Sequence, residues 1–169
     1  SILLTTAGPL VVATATLPLW GRLLDRVHIS HFRSKQGWLW VADQFMNWVG
    51  VMTGILPLIA LARVVQGAAR GGGMLAWNLG HNDFADRRMV AIYMGIHVTL
   101  TGVRGLICPF LAMLLFVGWP ELSLPGLDVS LPAFAGIGAH VFLFTVAMAL
   151  IAEMGFSTMS RTQKEARDA

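Results

Sequence analysis

Apolar and polar positions fall in long alternating blocks along this chain. Five apolar blocks cover approximately residues 2–20, 37–56, 58–79, 90–117 and 133–152. Short polar segments separate them, and a polar stretch, 155–169, ends the chain. A membrane-crossing helix needs roughly 20 mostly apolar residues to traverse ~30 Å of hydrocarbon. Each block meets that length. The expected fold is therefore all-α: a polytopic transmembrane bundle of about five helices over residues 1–154, with a cytoplasmic polar tail over 155–169. Trp38 and Trp40 open the second block as an interfacial aromatic belt would. Pro9 and Pro18 sit inside the first, where neighbouring helices can re-satisfy freed carbonyls. The fourth block is long enough to tilt or to overrun the bilayer.

Composition agrees with that pattern. The chain is 56% hydrophobic and 12% charged, against about a quarter charged in soluble domains. A single soluble core of this size cannot hide so much apolar surface. The lone cysteine, Cys108, lies within an apolar block, which leaves disulfides no role inside the chain. Ser1 already stands in a hydrophobic run with no basic flank, so the run is read as a span of a fragment or N-terminally trimmed chain, not as a signal peptide.

Charge then sets the expected orientation. Of twelve basic residues, Arg22, Arg26, Arg33 and Lys35 fall in the first polar segment, Arg87 and Arg88 in the third, and Arg161, Lys164 and Arg167 in the tail. The second and fourth segments hold none. The positive-inside rule places the odd-numbered segments and the C-terminus in the cytoplasm; the expected location is the plasma (inner) membrane. The basic residues form no stripe, which argues against a nucleic-acid partner. The lipid bilayer is the expected partner.

Arg63, Arg70, Arg104, Asp43 and His97 fall inside apolar blocks. Ionisable groups at membrane depth cost several kcal/mol and normally face a partner or a water-filled cavity. At 100° per residue, Arg63, Gly67, Arg70, Met74 and Trp77 share one helix face, with Gln66 and Asn78 at its edges. Tyr93, His97, Thr101, Arg104 and Cys108 share another, as do Asp43, Asn47, Gly50 and Gly54. A bundle with a polar interior follows. Gly71-Gly72-Gly73 serves either close helix approach or bending.

These residues also carry a resemblance. Gly21-Arg22-Leu23-Leu24-Asp25-Arg26 resembles the Gly-x-x-x-Asp-Arg signature of the major facilitator superfamily, departing from it at Val27, His28 and Ile29. Arg63-Val64-Val65-Gln66-Gly67 is similar to the family's Arg-x-x-Gln-Gly signature, and Gly102 to Pro109 to its Gly/Pro-rich one. The order and the spacing by whole spans agree. The resemblance implies half of a secondary transporter, which moves a small solute by alternating access and whose other half is missing from the chain. The second half, helices eight to twelve, is favoured over the first by the degenerate first motif, the long segment before the fifth block and the polar tail.

By that resemblance the first, third and fourth spans would line the cavity, near mid-membrane. The candidate substrate contacts are Gln66, Arg70, Asn78, Thr101 and Arg104, the arginines suiting an anionic or strongly polar solute. The alternative is structural: either arginine bonding freed carbonyls or pairing with Asp43. Arg63 and His97 are candidates for proton coupling, against snorkelling for Arg63 and a hydrogen-bonded structural role for His97. Asp43 is expected in packing or an ion pair, and His140 is expected to be structural. Gly21, Asp25 and Arg26 would form a cytoplasmic gate, the alternative being a tight turn with topology charges. No catalytic residue, cofactor or metal is expected. Two rival readings stand beside this one. The first is a non-transporting scaffold or sensor. The second is a membrane enzyme, a metal-dependent transferase holding its ion with Asp83 and Asp86 beside His81, Arg87 and Arg88.

Overall fold

The computed structural model describes residues 2–80, 86, 88–123 and 130–168. It is all-helical, with five long helices. They are α1 (Ile2–Leu24), α2 (Ile29–Thr53), α3 (Leu56–Leu79), α4 (Val90–Val117) and α5 (Val141–Asp168). Two residue pairs, β1 (Leu122–Ser123) and β2 (Ser130–Leu131), make an antiparallel ladder between α4 and α5. A 3-10 turn over Gly138–His140 leads into α5.

Local chemistry sets several boundaries. His28 caps α2 from an extended conformation, its Nδ1 accepting from the Ser30 amide at 3.3 Å. Gly54 ends α2 in the left-handed region at φ 71°, which suits a residue without Cβ. Pro57 stands in the first turn of α3, where its missing N–H costs nothing. Gly118 ends α4 at φ 84°, pressed against the Phe134 carbonyl as Trp119 and Phe134 exchange backbone hydrogen bonds at 2.8 and 2.9 Å.

Helices α2 and α5 differ from the sequence expectation at their ends. Helix α2 begins at Ile29, eight residues before the apolar block at Gly37, because charge keeps Arg33 and Lys35 from hydrocarbon but not from a helix. Likewise α5 continues unbroken to Asp168 through the polar stretch after Gly155, and it starts at Val141 where the block starts at Ala133.

Four helices form a row in the order α1, α3, α2, α5. Glycines bring α1 and α3 together: a Cβ on Gly67 would stand 2.6 Å from the Pro9 carbonyl oxygen, and one on Gly71 2.7 Å from that of Ala13. Both helices therefore run the same way. Small residues at such contacts let backbones approach closely. Helix α2 lies antiparallel to α3, with Gln36 Nε2 donating to the Ala69 carbonyl at 2.8 Å and Gly50 against Ile59. Helix α5 lies antiparallel to α2. Helix α4 touches the row lightly, and none of its described residues is buried.

Burial is inverted relative to a water-soluble domain. The buried apolar set is small (Ala13, Ile29, Phe32, Ala62, Ala69, Ala76), while Ser30, Gln36, Asp43, Asn47 and Glu153 are buried too. Large apolar side chains such as Leu10, Leu56, Leu100, Leu106, Phe110 and Ile151 point outward. Buried polar groups and exposed apolar surface are the informative deviations from the usual arrangement. Three helices, over Thr5–Leu24, Val90–Val117 and Gly138–Thr162, are long and apolar enough to cross a membrane. Helices α2 and α3 are less apolar, carrying Gln36, Asp43, Gln44 and Asn47 in one and Arg63, Gln66, Arg70 and Asn78 in the other.

Candidate functional site

The polar residues of α2, α3 and α5 meet in one network. Asp43 is fully buried. Its Oδ1 accepts from Asn47 Nδ2 at 2.8 Å and its Oδ2 from Gln44 Nε2 at 2.9 Å. Arg63 reaches across from α3, donating to Asn47 Oδ1 and lying 3.7 Å from Asp43 Oδ1. The same guanidinium donates through Nη1 to Gln66 Oε1 at 3.0 Å. On the far side Thr145 Oγ1 donates to Gln44 Oε1 at 2.9 Å, tying in α5. The four-residue step from Asp43 to Asn47, and the three-residue step from Arg63 to Gln66, put each pair on one helix face.

This places the sequence candidates unevenly. Arg63 does not snorkel: it turns into the α2–α3 interface. Asp43 pairs with Arg63, not with Arg70 or Arg104. The residues of Arg63-Val64-Val65-Gln66-Gly67 that carry the resemblance each make a contact: Arg63 and Gln66 with one another, Gly67 with α1. Arg70 and Asn78 are exposed on α3. Asn78 donates to the Met74 carbonyl, and Arg70 makes no hydrogen bond or ion pair among the described residues. Thr101 donates back to the His97 carbonyl at 2.8 Å, within α4.

His97 and Arg104 are drawn toward α3 through Trp77. The His97 ring lies 3.8 Å from the Trp77 ring, centroid to centroid, and the Arg104 guanidinium carbon stands 5.8 Å from the indole centroid. Beside them opens a cavity of 210 Å³ among the start of α2, the end of α3, α4 and α5. Arg33, Trp77, His97 and Phe156 are among its lining residues. Arg33 stands 5.7 Å over the Phe156 ring. Each such cation–aromatic contact contributes about 0.5–2 kcal/mol. Burial and then the nearby positive charge of Arg104 push the Arg33 pKa below its ordinary value.

At the α1–α2 turn, Gly21 accepts the Asp25 amide at 3.0 Å, so the motif closes the last turn of α1. Asp25 and Arg26 are exposed and make no ion pair among the described residues. Behind the turn, Trp20 packs edge-on against Phe32 at 5.4 Å and donates to the Ala68 carbonyl, with Ile29 and Ala76 in the same cluster.

Of the loop proposed for a metal, His81, Asp83 and Arg87 lie outside the described residues. Among the described residues no three His, Cys, Asp or Glu side chains gather to hold an ion. Sequence reading passed over Arg33, counted there as a topology charge, and Glu153, one residue beyond its apolar block. The four-residue step from Glu153 to Ser157 was the available signal, and the fold sets it opposite Ser34 and Gly37. Compared with known proteins, the chain matches no family model, no curated protein and no solved structure.

Proposed function

We propose that this chain is one helical bundle of a secondary transporter of the major facilitator type, its second half, moving a small polar or anionic solute by alternating access. One observation carries the reading: Arg63, Gln66 and Gly67 meet their partners where α1, α2 and α3 join. The inverted burial around that junction supports a bilayer as the surrounding medium. In this reading all five helices cross the plasma (inner) membrane and the C-terminus lies in the cytoplasm. The missing half completes the translocation path. Arg70 is the strongest substrate candidate, because its charge is uncommitted among the described residues. Arg104 and His97 flank the path. Asp25 and Arg26 act as the cytoplasmic latch, Asp25 accepting from a helix N-terminus when that side closes.

Proteoliposomes of the full-length protein provide the test. Counterflow of labelled carboxylates, organic phosphates and sugars is measured for the parent, Arg70→Gln and Arg104→Gln. Weaker apparent affinity in either variant supports substrate contact, and unchanged affinity in both overturns it. The network of Asp43, Gln44, Asn47, Arg63, Gln66 and Thr145 also suits a static scaffold or sensor. Absence of counterflow for every solute, in protein that remains folded, would select that reading.

A further inference from the structure

The 210 Å³ cavity among α2, α3, α4 and α5 has a chemically lopsided wall. Ile29, Ala76, Trp77, Phe156 and Met159 make most of it apolar. Arg33 brings the one permanent charge among the described lining residues. That guanidinium forms no ion pair or hydrogen bond among the described residues. It stands instead 5.7 Å over the Phe156 ring. An aromatic face steadies a guanidinium from above and leaves its in-plane N–H donors unused. The half-buried Arg33 thus offers a planar fork of donors at the edge of an apolar chamber.

We infer that this cavity binds a short-chain monocarboxylate, with its carboxylate on Arg33 and its apolar body against Ala76, Trp77 and Met159. Two oxygens in one plane match a single guanidinium fork. Phosphate suits the same wall poorly. It carries more acceptor oxygens than one guanidinium serves, and an apolar lining leaves the others unpaired. Size sets the chain length. At ~30 Å³ per water, 210 Å³ holds about seven waters, or roughly seven non-hydrogen atoms, the size of pentanoate. Pockets for drug-sized ligands begin at about 300 Å³, so a nucleotide or a long acyl chain is too large. Every wall comes from this one bundle, so the site does not depend on transport or on a second bundle.

Purified full-length protein in a neutral detergent, with its methionine methyl groups labelled with carbon-13, provides the test. Sodium pentanoate is titrated while the methyl resonances and the melting temperature are followed. The Met159 signal, assigned by its loss in Met159→Leu, shifts in a saturable way. The signal of Met113, exposed on α4, stays in place. Pentanol, the uncharged analogue, and inorganic phosphate each bind at least about tenfold more weakly. Arg33→Gln weakens pentanoate binding by about tenfold or more. Arg33→Lys, which keeps the charge, recovers part of it, and Arg22→Gln, in the exposed turn, leaves it unchanged. Met159→Trp, read by melting temperature, fills the chamber and removes the pentanoate response although Arg33 is intact. Circular dichroism of every variant reports that the helices persist. If pentanoate fails to saturate, if Arg33→Gln binds it like the parent, or if phosphate binds as tightly, the inference is wrong.

Discussion

Arg63 shows how one residue changes meaning between sequence and structure. Counted along the chain it is a charge one turn from the end of an apolar block. In the fold its guanidinium reaches Asn47, Gln66 and Asp43, and its Nε is buried with no acceptor among the described residues. Removing one partner of such a pair strands the other in a poorly solvated place. Arg63→Met is expected to lower stability by about 1–3 kcal/mol. The double variant Asp43→Asn/Arg63→Met is expected to cost less than the sum of its singles. Melting in detergent checks this, and a coupling near zero would mean that the pair is not made. Asp25 sits at the other extreme. It is exposed and unpaired among the described residues, so Asp25→Asn should change stability by less than about 0.5 kcal/mol. By the latch reading it slows counterflow nonetheless, and full transport in that variant would remove the latch. The shared face of Asp43 and Asn47 was legible from 100° arithmetic, but Arg63 and Arg70, put on one face by the same arithmetic, part company: Arg63 meets α2 and Arg70 is exposed. Which partner each residue takes was not legible, because arithmetic gives a face and not the neighbour across it.

At the scale of elements, glycines divide the helices into two kinds. Gly67 and Gly71 receive the α1 backbone, whereas Cβ atoms on Gly102 and Gly105 would meet nothing within 4 Å. Gly→Ala in an open helix interior gains about 0.5–1 kcal/mol. Gly102→Ala is therefore expected to be neutral or stabilising. Gly71→Ala forces α1 and α3 apart and is expected to cost about 1–3 kcal/mol. Thermal melting of the two variants side by side decides it; equal effects would contradict the α1–α3 contact. Helix positions were legible where turn chemistry marks them, as at Gly54 and Pro57. They were misread where apolarity stood in for helicity. Arg33 and Lys35, and the stretch after Gly155, are polar and helical at once. The approach of α1 to α3 has no local signature beyond small residues, and Gly8, Gly95 and Gly102 are equally small but open to space.

For the whole molecule, the all-helical class followed directly from block length. Orientation in the proposed membrane rests on charge counting and has its own test. In a Cys108→Ser background, Glu121→Cys should react with a membrane-impermeant maleimide on intact cells. Arg22→Cys and Arg161→Cys should react only after permeabilisation. The reverse pattern would invert the topology.

The contact between α2 and α5 carries a mechanical consequence. Trp48 meets His140 in the turn that leads into α5, and along α5 Gln44 meets Thr145, Gly37 takes the Glu153 carboxylate, Ser34 meets Ser157, and His31 meets Ser160. These five rungs differ in chemistry, so no rung can substitute for its neighbour. Sliding α5 by one helical turn, ~5.4 Å, would drive the Glu153 carboxylate away from the slot at Gly37 and onto a bulkier residue. The two helices are consequently keyed against axial slippage, and by the transport reading they are expected to move as one rigid strut. Spin labels near the two ends of this strut should keep a constant separation while distances from α5 to α4 change.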